Sequence, residues 1–117
     1  IQYALTYPKR MHLDMKHLDF KELLTLEFMP PRVDDFPALN LAYEVGKIGG
    51  FKPAVFNAAN ETAVYAFLDG KIIFSDIYKI VTAVLESMGR DDDFTLDNLL
   101  AIDQWARIKA SEFINRR

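Results

Sequence analysis

The apolar residues Ile77, Ile80, Val81, Val84, Leu85 and Met88 repeat at helical spacing, and nothing else in the chain restricts its fold so tightly. Residues at i, i+3, i+4, i+7 and i+8 share one face of an α-helix, so this series reads as a helix with a buried stripe. The helix is expected to begin at Ser75 or Asp76 and to end before Gly89. A stripe of that kind needs other apolar faces to pack against, and the neighbouring segments supply them.

An earlier helix takes Asp34 or Asp35 as its N-cap, carries Pro37 in its first turn and stops at Gly49-Gly50. A second runs from Pro53 or Asn57 to Asp69 and is ended by Gly70. The last starts after Thr95, a good N-cap, and runs toward Arg117 with Leu99, Ile102, Ala106, Ala110 and Phe113 facing inward. Four helices joined by short turns make a helical bundle. The fold class expected is mainly α: a four-helix bundle-like domain preceded by an extended linker with one short β-strand.

The residues before Asp34 read differently. Ile1 to Tyr7 is a short apolar segment stopped by Pro8, too short to hold a helix by itself. Lys9 to Phe36 has both histidines, the Pro30-Pro31 pair and no sustained helical period. Within it, Leu24-Thr25-Leu26-Glu27-Phe28 alternates apolar and polar residues, which places Leu24, Leu26 and Phe28 on one face of a strand. A single strand cannot satisfy its own backbone groups and needs a sheet from elsewhere.

Composition narrows the function classes. A net charge of −3 argues against nucleic acid, which requires clustered Lys and Arg. The absence of cysteine excludes disulfides, thiolate metal sites and a cysteine nucleophile. No apolar run approaches the roughly 20 residues of a membrane-spanning helix, and no signal peptide is visible. The first residue, Ile1, reads as the start of an excerpt from a longer sequence.

No constellation of catalytic groups stands out. His12 and His17 are spaced unlike a helical metal pair and read as solvated or hydrogen-bonded linker histidines. Gly49-Gly50 follows a helix and so terminates it; it does not cradle a phosphate. Asp91-Asp92-Asp93 lacks the alternation, glycine and terminal glutamate of a calcium loop, and its charge suits the start of the next helix. Ser75 and Ser87 have no activating histidine, and Trp105 beside Arg107 reads as packing. The Asn57-Ala58-Ala59-Asn60-Glu61 stretch places two amides and a carboxylate in an alanine-rich helix. Asn57 and Asn60 could grip a ligand from one face, but the structural reading is preferred: Asn57 as a cap, or both amides tied to backbone groups. No residue is assigned as catalytic, cofactor-binding or metal-ligating.

That stretch, the opening Ile1-Gln2-Tyr3-Ala4-Leu5-Thr6-Tyr7-Pro8-Lys9-Arg10, and Phe36-Pro37-Ala38-Leu39-Asn40-Leu41-Ala42-Tyr43 together carry a resemblance. With Leu18-Asp19-Phe20 and Leu100-Ala101-Ile102-Asp103-Gln104-Trp105-Ala106-Arg107, the chain resembles the C-terminal part of 1-deoxy-D-xylulose 5-phosphate reductoisomerase. It departs from that family at Ala38, where Cys is frequent, and at Lys9, where an acidic residue is frequent.

The resemblance implies that residues 1–8 end a preceding catalytic domain. Residues 9–36 are then a linker with its strand near 23–28, and residues 37–117 a C-terminal helical domain that folds from about Asp34 onward. It implies a parent enzyme of the non-mevalonate isoprenoid pathway that rearranges its substrate and reduces it with NADPH, using Mn or Mg. The fragment itself is expected to hold no cofactor and to be inactive. The partners implied are the nucleotide-binding and catalytic domains of the same chain and a second copy of the enzyme, with no nucleic acid and no membrane. The location implied is the bacterial cytoplasm, or the plastid of a plant or alga. An exposed apolar patch including Ile1, Leu5, Leu24, Leu26 and Phe28 is expected to face the parent body. The alternative is a free-standing helical protein-interaction module.

Overall fold

The computed structural model describes residues 1–14, 19–21, 23, 25–89 and 93–116. Among the described residues there are five helices, and the chain divides into two units, Ile1–Pro30 and Pro31–Arg117.

In the first unit, α1 spans Gln2–Thr6. Propensity alone would not hold five residues in a helix. Side chains tie its ends to the following loop: Gln2 Nε2 donates to the carbonyls of Met11 and His12 at 3.1 and 3.2 Å, and Thr6 Oγ1 donates to the Lys9 carbonyl at 2.7 Å. These links explain why a segment expected to be too short is helical.

The strand expected near residues 23–28 is not found. Leu23 and residues 25–28 belong to no ladder, and among the described residues there is no strand at all. Leu24 lies outside the described residues. The physical reason was present in the sequence: alternation sets which side chains share a face, but a strand also needs a second backbone to bond with. Leu26 and Phe28 are accordingly 80% and 88% exposed.

The second unit is a bundle of α2 (Ala38–Ile48), α3 (Lys52–Leu68), α4 (Phe74–Glu86) and α5 (Leu96–Asn115). The cap of α2 is Pro37 and not Asp34 or Asp35. Those aspartates are used earlier, in a turn where Asp35 pairs with Arg32 at 3.2 Å and the Phe36 N–H donates to the Arg32 carbonyl. Gly49 and Gly50 both take positive φ, 71° and 58°, which reverses the chain between α2 and α3.

Helix α3 starts at Lys52, with Pro53 second in the helix where no intrahelical donor is needed. Asn57 is therefore inside the helix and caps nothing. The C-terminus closes on Gly70 at φ 70°, with Lys71 N–H donating to Ala66 O and Gly70 N–H to Phe67 O, both at 2.9 Å. That pair of bonds is a Schellman motif, and it satisfies carbonyls the helix would otherwise leave open.

Helix α4 begins at Phe74, one residue ahead of the expected Ser75. The Ile73 N–H donates to the Asp76 carboxylate at 3.4 Å, the backbone half of a capping box. Helix α5 begins as expected after Thr95, whose Oγ1 accepts from the Asn98 N–H at 3.2 Å. Asn98 Nδ2 also donates to the Asp93 carbonyl at 2.9 Å; Asp91, Asp92 and Arg117 lie outside the described residues.

One cluster forms the core. Val55, Ala58, Ala59 and Ala63 of α3, Ile80, Val81 and Val84 of α4, and Ile102, Ala106 and Ala110 of α5 are buried in it. Ile77, Leu85, Met88, Leu99, Trp105 and Phe113 pack against its edge, as the helical spacing implied. Helix α3 packs against α2, α4 and α5, so it is the central helix. Its alanines let the neighbouring backbones approach closely, as interior packing density requires.

Candidate functional site

The alanine-rich signature lies on this central helix, and its members separate by position around it. Ala58 and Ala59 are fully buried, Asn57 is exposed, and Asn60 and Glu61 are half-buried. Among the described residues, neither asparagine side chain makes a hydrogen bond, so the amides do not tie down backbone groups as expected. Nor do they meet at one cavity: Asn60 lines a groove and Asn57 does not.

That groove holds about 460 Å³. Asn60 and Val64 come from α3, Phe74, Ser75, Ile77, Tyr78 and Lys79 from α4 and the residue before α2's turn, Phe36, with Asp34, Asp35, Pro37 and Ala38, closes it. The walls are mostly apolar. Two of its rim charges are engaged, Asp35 with Arg32 at 3.2 Å and Lys79 with Asp76 at 3.2 Å. Ser75 is in this lining, with no histidine beside it.

A second, open cleft of about 320 Å³ lies along Thr62, Tyr65, Asp69, Lys71, Ser111 and Asn115. Its polar groups are largely committed to local bonds. Thr62 Oγ1 donates to Ala58 O at 2.8 Å, Ser111 Oγ donates to Arg107 O at 2.9 Å, and Lys71 pairs with Asp69 at 3.0 Å. Among the described residues there is also no group of three or more His, Cys, Asp or Glu that could hold a metal ion. His12 is exposed, and His17 lies outside the described residues.

The strongest polar arrangement links helices. Arg107 of α5 donates from Nη1 to Glu61 of α3 at 2.6 Å, and from Nε and Nη2 to Asp103 at 2.8 and 3.4 Å. The fork on Asp103 is bidentate, and such pairs fix geometry as well as charge. The hydrogen bond to Asp103, and after it the one to Glu61, raises the Arg107 pKa above its already high value. Sequence reasoning missed this clamp. The i, i+4 spacing of Asp103 and Arg107 is a legible signal, but Glu61 is far away in the chain and no local pattern points to it. Elsewhere on α5, the Lys109 ammonium holds the exposed Glu112 carboxyl below its usual range, with Arg116 adding to the effect.

Arg107→Ala is expected to cost about 1 kcal/mol, since the clamp is partly exposed and screened by solvent. Urea unfolding in low and high salt measures it, and the loss should shrink as salt rises. An unchanged midpoint at low salt would mean that the clamp contributes nothing.

Comparison with known proteins completes the description. Residues 1–109 match the family model for the DXP reductoisomerase C-terminal domain. The chain is 47% identical over 114 residues to the 1-deoxy-D-xylulose 5-phosphate reductoisomerase of Desulforamulus reducens, covering 97% of this chain and 30% of that protein. It is 44% identical over 117 residues to reductoisomerase 1 of Bacillus cereus, again covering 30% of that protein. Among solved structures, it is similar to the Zymomonas mobilis reductoisomerase in complex with NADPH, with a TM-score of 0.81 and 46% identity over 97% of this chain and 30% of that one. A reductoisomerase structure in complex with NADPH, fosmidomycin and magnesium gives a TM-score of 0.82 at 33% identity, with the same coverage. The chain thus spans about 30% of the length of the curated relatives it matches.

Proposed function

The chain belongs to the 1-deoxy-D-xylulose 5-phosphate reductoisomerase family and corresponds to its C-terminal domain, and from that premise we propose that it acts as a structural domain of such an enzyme. The enzyme in this reading converts 1-deoxy-D-xylulose 5-phosphate to 2-C-methyl-D-erythritol 4-phosphate with NADPH and a divalent cation, Mn or Mg. The observation that carries the proposal is the match over residues 1–109 to the C-terminal domain of that family.

The role proposed is bracing. The bundle buries one apolar face per helix in its own core and keeps further apolar side chains outside, among them Tyr43, Leu68, Phe74 and Leu100. In the first unit, Ile1 and Leu5 are also exposed. Exposed apolar groups of this kind suit contact with another protein surface, which this reading assigns to the nucleotide-binding and catalytic domains. The described residues do not fit a metal or dinucleotide site: they hold no cluster of metal ligands and no glycine-rich phosphate loop. The reading therefore gives none of them a role in the chemistry.

Related reductoisomerases are found in complex with NADPH and with magnesium, which supports the same cofactors for the enzyme as a whole. No helix among the described residues is long and apolar enough to cross a membrane. The bacterial relatives suit a cytoplasmic enzyme; a plastid location, if the source is a plant or alga, and a homodimeric enzyme belong to the same proposal.

The test is an NADPH-oxidation assay of the purified 117-residue chain with 1-deoxy-D-xylulose 5-phosphate and Mg²⁺ or Mn²⁺. No turnover is expected, and titration with NADPH alone should lower the tryptophan fluorescence no more than it lowers that of free tryptophan. Turnover above the no-enzyme rate would overturn the structural assignment.

A further inference from the structure

We draw no further inference here: the strongest candidate, the apolar groove between Phe36, α3 and α4 lined by Val64, Phe74 and Tyr78, carries nothing because nothing in the structure shows what covers it.

Discussion

Replacing Ile80 by Ala should lower the thermal midpoint of the helical unit by roughly 10–30 °C. Ile80 is among the largest fully enclosed side chains of the core, at 2% exposure, and it belongs to the same cluster as Val55 and Val84. Truncating a buried isoleucine to alanine loses its transfer free energy and leaves a cavity, about 2–5 kcal/mol in all. In a domain of this size each kcal/mol moves the midpoint by about 4–8 °C. Total stabilities of about 5–15 kcal/mol make that a large share. Far-UV circular dichroism during a thermal scan reads the change directly. The matched control is Ile108→Ala on the outer side of α5, where the side chain is 55% exposed and only a small shift is expected. Equal shifts for the two variants would contradict the core described above.

The second large effect comes from adding atoms. Ala106 of α5 has no exposed surface and shares the core with the α3 alanines. Ala106→Leu keeps the residue apolar and helix-favouring, so propensity changes little. The added carbons have no free volume and must displace a neighbour, which costs about 1–3 kcal/mol. Ala101→Leu on the same helix, at an exposed position, should change stability by less than about 0.5 kcal/mol. Chemical denaturation of both variants separates crowding from propensity. If Ala106→Leu were as stable as the parent, the close helix packing would be wrong.

Helices announced by period and punctuation were readable from the residues. The Ile77-to-Met88 stripe located α4, and the Thr95 hydroxyl located the start of α5 to the residue. Gly70 located the end of α3, because a left-handed turn there closes the Schellman bonds. What the residues did not reveal depended on partners distant in the chain or on competing local uses. Asp34 and Asp35 look like caps, yet Arg32 and a preceding turn engage that stretch first. The one-turn helix α1 depends on Gln2 reaching Met11 and His12, which no propensity describes.

The alternating segment around Leu26 failed for the opposite reason. Its pattern was correct for a strand, but pattern cannot supply the second backbone. At the candidate site, the buried halves of the signature, Ala58 and Ala59, follow from helical spacing. The Glu61–Arg107 contact needed the fold itself, since it joins helices α3 and α5. Family resemblance, in contrast, was carried by the residues alone and agrees with the match over residues 1–109.

Because α2 contributes only Val45 to the fully buried set and packs chiefly against α3, its amides are held less securely than those of the central helix. Helices with few buried contacts open at a fraction of the global unfolding free energy. In native-state deuterium labelling, α2 should exchange through sub-global opening while α3 waits for the whole bundle to unfold. With the two glycines at positive φ as its pivot, the expected opening releases α2 and leaves α3, α4 and α5 packed on one another.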